Sequence, residues 1–147
     1  LDRARGFKDC MQDNNIDQSY YNVISSSFVE AEAAQNIADF LNKNNINDKR
    51  LGIFAANDAA AFGVLKELKK RGIKVPKKAG VVGFDNVNFA EYSSPALTTI
   101  SRPINKIGKI SAQILLERLE KEENENISEK DLTLSVDLIK RESTSKE

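Results

Sequence analysis

Two apolar runs, LGIFAA at 51–56 and GVVGF at 80–84, are each of strand length, and neither alternates apolar with polar residues. A strand with one wetted face alternates, so an unbroken run predicts a parallel strand covered on both faces. Residues 58–71 between them carry a helical pattern. Asp58 reads as its N-cap, Gly72 as its stop, and Lys69, Lys70 and Arg71 suit the negative end of the helix dipole. Strand, helix and strand at this spacing form a βαβ unit, which fixes the hand and direction of the sheet.

The same alternation runs along the rest of the chain. Residues 2–15 place Ala4, Phe7, Cys10 and Met11 on one helical stripe, with Cys10 read as a small core residue. Residues 20–25 (YYNVIS) read as a strand, and 30–44 as an amphipathic helix with Ala33, Ala34, Ile37, Phe40 and Leu41 on one face. Residues 85–96 read as a loop and 97–100 (LTTI) as a short strand. Pro103 suits the first turn of a helix running to about Glu122, with Ile107, Ile110, Ile114, Leu115 and Leu119 as its stripe. After a charged loop, residues 132–139 alternate as a strand with one buried face, and the tail RESTSKE reads as fraying. The expected fold class is α/β: a three-layer parallel sheet with helices on both faces.

Composition narrows the chemistry. The chain has 147 residues, 22 Lys+Arg against 22 Asp+Glu, one Cys and no His. That length suits one compact domain. Zero net charge gives no global pull toward nucleic acid or membrane. A lone Cys excludes a disulfide framework, and without His the usual general base and the commonest metal ligand are missing. No run approaches a membrane span, and no catalytic constellation, metal site or cofactor is expected. The opening LDRARGF lacks Met and is already helical in pattern, so the chain reads as a piece of something longer.

Ligands of open parallel sheets bind beyond the carboxyl ends of the strands. Asn57 and Asp58 follow the first apolar run, and Asp85 and Asn86 follow the second. If the two strands are neighbours, Asn57 and Asp85 face one crevice. Arg3 starts the first helix, and a strand preceding it would deliver Arg3 to the same edge. Arg, Asn and Asp together donate and accept as vicinal hydroxyls require, and Phe28 offers an aromatic face to a sugar ring. Position alone also allows bland roles: a cap for Asp58, turns for Asn57 and Asp85-Asn86, a solvated Arg3 and a core Phe28. The basic stretch from Lys66 to Lys78 reads as a solvated helix end, and Gly80-Val-Val-Gly83 lacks the spacing of a dinucleotide loop.

The segment FAANDAAAFGVLKELKKRGIKVPKKAGVVGFDN, followed by YSSPALTTISRPINKIGKISAQILLERL and LIKREST, resembles the effector-binding core of the LacI/GalR family of transcription regulators. The opening RARGF is similar to that family's Arg-x-x-Gly-Phe element. The resemblance implies a two-lobed, periplasmic-binding-protein-like type I fold with an effector held between the lobes. Residues 1–99 and 129–147 would belong to the C-terminal lobe, and 100–128 would be an excursion into the N-terminal lobe. The rest of that lobe and the DNA-binding head would lie outside this chain. Positions matching Arg3, Asn57 and Asp85 bind effector hydroxyls in the family, with an aromatic at Phe28. Ala59, Phe62 and Tyr92 fall on its dimer surface, where Ala60 and Ala61 would also permit close packing. Asn86 stands where the family often has a second Asp.

The resemblance therefore implies a small-molecule effector, expected to be a carbohydrate, a homodimer, DNA as partner through the absent head, no membrane partner and a cytoplasmic location. The helix over 103–122 would lack its native neighbours and drive self-association. Two other readings share the pattern. One is a secreted or lipid-anchored sugar-binding protein of a transporter, marked by an upstream signal peptide. The other is a flavodoxin-like enzyme domain, which no residue constellation supports.

Overall fold

The computed structural model describes residues 2–46, 49–119 and 132–145. Four strands form one sheet in the order β1 (Leu51–Phe54), β2 (Ala79–Asp85), β3 (Thr98–Ser101) and β4 (Asp137–Ile139). The first three are parallel, with Leu51 opposite Ala79 and Val82 opposite Thr98. β4 runs antiparallel to β3, with Ile100 opposite Leu138. The α/β class and the parallel-dominated sheet are as the sequence predicts, with an antiparallel edge added.

Five α-helices accompany the sheet: α1 (Asp2–Asp13), α2 (Glu30–Lys43), α3 (Asp58–Lys70), α4 (Phe89–Tyr92) and α5 (Ile104–Leu119). α2 and α3 pack side by side, and Gly63 makes that approach possible. A Cβ there would stand 2.1 Å from the Glu30 carbonyl oxygen, well inside contact distance. The core lies between these helices and one face of β2. It unites Ala33 and Ile37 of α2, Ala60, Ala61, Val64 and Leu68 of α3, and Ala79, Val81 and Leu97 of the sheet. The opposite face of β2, carrying Gly80, Val82 and Phe84, is half-buried.

Helix starts follow local chemistry. α2 opens at Val29 without a side-chain cap, but Glu32 reaches back and accepts from the amide and hydroxyl of Ser27. Those bonds, the hydroxyl one first, hold the Glu32 carboxyl below its ordinary pKa. α3 is capped by Asn57, whose Oδ1 accepts from the Ala60 amide at 2.8 Å.

Several expectations fail here, each for a physical reason. Residues 20–25 form no strand: Gln18–Tyr20 is a 3-10 turn capped by Asp17, and Val23 and Ile24 are exposed. β1 is consequently the sheet edge and only half-buried, not covered on both faces. Cys10 is exposed, because α1 buries no residue. The presumed loop over 85–96 contains α4. Ala60 and Ala61 face the core, not a partner. The expected strand over 132–139 shrinks to three residues, and Leu132, Val136 and Leu138 stay exposed. The tail does not fray within the described residues. Ser143 is fully buried, donates to the Val81 carbonyl at 2.6 Å and accepts from the Thr98 amide at 2.8 Å. The charged loop predicted at 121–131, and the end of the helix expected to run to about Glu122, fall outside the described residues.

Candidate functional site

The carboxyl ends of β1, β2 and β3 lie side by side because the strands are parallel and in register. Each end presents polar side chains. β1 leads through Ala55 and Ala56 into Asn57, β2 ends at Asp85, and Arg102 follows the last residue of β3. α1 delivers Arg3 to the same edge, where its guanidinium donates to the Ala56 carbonyl.

Arg3 organises the cluster. Its guanidinium lies over the Phe84 ring at 3.9 Å and 5.9 Å from the Phe28 centroid. Such a cation over an aromatic face is attracted by the ring quadrupole. One guanidinium nitrogen stands 4.0 Å from Asp85 Oδ1, and Arg102 approaches the same oxygen at 2.8 Å. That oxygen is buried, yet neither guanidinium is aligned to donate a hydrogen bond to it. Arg102 therefore holds that oxygen as an ion pair, and the Asp85 side chain as a whole is about 21% exposed at the edge. Phe28 is 61% exposed, so one aromatic face is open to solvent.

Asn57 is more committed. Its Oδ1 caps α3, and one amide hydrogen goes to the Phe28 carbonyl at 3.2 Å. The cap role expected for Asp58 thus belongs to Asn57. Asp58 is instead fully buried, accepting from the Thr99 hydroxyl at 2.5 Å and the Val87 amide at 2.9 Å. Asn86 is also structural: its Oδ1 accepts from Arg141 at 2.9 Å, and its Nδ2 lies 3.4 Å from the Ser101 hydroxyl as a donor.

The structure therefore brings Arg3, Phe28 and Asp85 together directly, and Asn57 through the Phe28 backbone. Arg102 and Phe84 join them without having been singled out. Arg102 could have been found, because it follows the third parallel strand as Asn57 and Asp85 follow the first two. A cleft of about 340 Å³ adjoins the cluster between α1, α2 and β1, lined by Arg3, Phe7, Tyr21, Ile37 and Phe54. It shares Arg3 with the cluster, but Asp85, Asn57 and Phe28 lie outside its lining. Among the described residues, no group of His, Cys, Asp and Glu could hold a metal, and no helix is long and apolar enough to cross a membrane.

Of the residues assigned to a dimer surface, Ala59 and Tyr92 are exposed and Phe62 is half-buried. Phe62 packs edge-on against Phe89 of α4, with centroids 5.3 Å apart. Phe89 is itself exposed and extends the patch, which the sequence reading missed by treating 85–96 as a loop.

The family model for the periplasmic binding protein-like domain matches residues 1–144, and the chain belongs to that family. Its relatives within the family are transcriptional regulators of the LacI type. An HTH-type transcriptional repressor PurR from Vibrio vulnificus is 35% identical over 124 residues, which cover 84% of this chain and 36% of that protein. A LacI family transcriptional regulator from Enterococcus faecium, solved with bound ribose, superposes with a TM-score of 0.81 at 32% identity. That match covers 97% of this chain and 50% of the other. A putative LacI-family regulator from Sanguibacter keddieii gives a TM-score of 0.85 at 26% identity, covering 96% of this chain and 52% of the other. The chain thus spans about a third of the curated repressor it matches.

Proposed function

We propose that this chain is the effector-sensing part of a ligand-responsive transcription regulator. Residues through Ser101 and the segment that carries β4 form the C-terminal lobe of its effector-binding domain, and the segment after Ser101 belongs to the N-terminal lobe; the boundary lies past the expected 99 because Ile100 and Ser101 pair with Phe84 and Asp85 in the sheet. The effector is a sugar-like polyhydroxyl compound. Asp85 accepts from a pair of hydroxyls, Arg3 donates to ring or hydroxyl oxygens, Asn57 supplies its remaining amide hydrogen, and Phe28 covers the apolar face of the ring. The chemistry is binding alone: no bond is made or broken, and no cofactor or metal takes part. Effector binding shifts the population of lobe arrangements, and a homodimer through Ala59, Phe62 and Tyr92 passes that shift to a DNA-binding head outside this chain. The setting is the cytoplasm, without a membrane partner.

The observation that carries this reading is the convergence at one strand edge of the Arg3 guanidinium, the Asp85 carboxylate that Arg102 pairs with, and the open Phe28 ring. The bound ribose of the Enterococcus faecium regulator supports the ligand class. Because half of the cleft lies outside this chain, which alone should bind effector weakly or not at all, a D-ribose titration of the full regulator that carries the chain, followed by amide NMR, tests it. Wild type should show shifts at Arg3, Asn57 and Asp85, and Asp85→Ala should weaken binding at least tenfold, the loss of one charge-assisted hydrogen bond of about 1.5–3 kcal/mol. Equal affinity in both proteins would remove Asp85 from the site. The rival reading, a sugar-binding protein of a transporter, shares the cluster. The sequence encoded upstream of Leu1 separates them: a helix-turn-helix supports the regulator, and a signal peptide supports the rival.

A further inference from the structure

Asp58 is a fully buried carboxylate at the start of α3, and among the described residues no cation pairs with it. Burying a charged group is costly unless hydrogen bonds repay it. Capping does not account for the cost, because Asn57 already caps the helix. The partners of Asp58 lie elsewhere. Its Oδ2 accepts from the Val87 amide at 2.9 Å, and its Oδ1 from the Thr99 hydroxyl at 2.5 Å. The same Thr99 oxygen accepts from the Asn86 amide at 3.3 Å. Both amides that follow Asp85 are therefore tied to Asp58, one directly and one through Thr99.

The backbone between those ties is unusual. Asp85 has φ 117° and Asn86 φ 53°, both in the region that favours glycine. Residues held there persist only when their surroundings over-determine them. Gly83 keeps the space clear, since a Cβ on it would stand 2.2 Å from Asp58 Oδ1.

We propose that Asp58 is a positioning residue for the ligand edge: acting through Val87 and Thr99, it holds the Asp85-Asn86 turn so that the Asp85 carboxylate faces the effector. This rests on the reading that Asp85 recognises the ligand, and it adds that the recognition geometry is set from the first turn of α3. Because α3 also carries Ala59 and Phe62, one carboxylate links the ligand edge to the proposed dimer surface.

The test uses the 15N-labelled full regulator that carries this chain, with D-ribose as probe. Asp58→Ala should shift the amide resonances of Asp85, Asn86 and Val87 and move the HN–Hα couplings of Asp85 and Asn86 away from their positive-φ values. It should also weaken D-ribose about tenfold or more. Asp58→Asn can still donate to Thr99 and accept from Val87, so it should restore most of both. Thr99→Val removes only the relay and should perturb Asn86 and Asp85 more than Val87; it decides the matter by the same readout if Asp58→Ala does not fold. Unchanged couplings at Asp85 and Asn86 in a folded Asp58→Ala or Thr99→Val chain would overturn the proposal. So would a tenfold loss with no change in the turn. If wild type shows no D-ribose shifts, the ligand reading fails for that sugar, and the couplings still judge the role of Asp58.

Discussion

The two ends of the sheet are built differently. Around β2 and β3, four polar residues are buried and engaged: Thr98, Thr99, Asp58 and Ser143 are closed to solvent, and each has hydrogen-bond partners within the chain. Around β1 the protein is thin. α1 buries no residue, Phe7 touches Tyr21 edge-on at 5.6 Å, and the 340 Å³ cleft lies between α1 and the free strand edge. The ligand cluster sits on the boundary. Asp85 belongs to the rigid side, while Arg3 and Phe28 belong to the thin side. A site assembled this way fixes its acceptor and leaves its donor and its aromatic cover free to adjust, since local opening is easiest where buried contacts are few.

Substitutions should expose that asymmetry, the largest effect first. Leu68→Ala removes a fully buried side chain of α3 and should cost about 2–5 kcal/mol in a denaturant melt. A value under 1 kcal/mol would mean that the α3 core is not the stable half. Ser143→Ala leaves the Val81 carbonyl and the Thr98 amide without their hydroxyl partner and should cost about 1–3 kcal/mol. Phe7→Ala, on the thin side, should cost about 1 kcal/mol or less. A larger loss would place α1 in the cooperative core and erase the comparison.

The smallest effect concerns acid. The Arg71 guanidinium donates to Glu67 at 2.6 Å, and that bond holds the Glu67 carboxyl below its ordinary value, with Lys70 helping by charge. A depressed carboxyl stabilises the fold above its ordinary pKa near 4.5, and this contribution fades as pH falls through the lowered folded value. Arg71→Met should therefore lower stability slightly at neutral pH and change little below the lowered folded value, so that the acid limb flattens below about pH 4.5. An unchanged acid limb would assign the acid response to other carboxyls.

How much of this was legible in the sequence follows the same division. α2, α3, β2 and β3 were readable because hydrophobic period and length agree with final burial, whereas α5 forms as a helix but its expected buried stripe is not buried: Leu115 and Leu119 are exposed. Residues 20–25 have strand composition, but composition does not say whether a neighbouring edge is taken up, and here Val23 and Ile24 remain in solvent. Ser143 was unreadable for a different reason. Nothing local distinguishes a serine that plugs a sheet from one on a loose tail, since its partners lie 45 and 62 residues away. The rule about strand ends placed Arg3, Asn57 and Asp85 at one edge, Phe28 reaches it without the strand expected over 20–25, and the division of labour between Asn57 and Asp58 was not legible. Both can cap a helix, and the difference lies in Thr99 and Val87, which only the fold brings near.

The Ser143 plug also dictates an order of assembly. Val81 leaves the ribosome 62 residues ahead of the serine that satisfies its carbonyl. At translation rates of about 5–20 residues per second, that interval lasts roughly 3–12 s. Until then β2 and β3 lack their closing hydrogen bonds, and the apolar strands must wait unsealed. Sealing β2 and β3 is therefore a long-range step, set by loop closure and not by helix formation. A nascent chain stalled before Arg141 should remain open to proteases, and emergence of residues 141–145 should close the dense half.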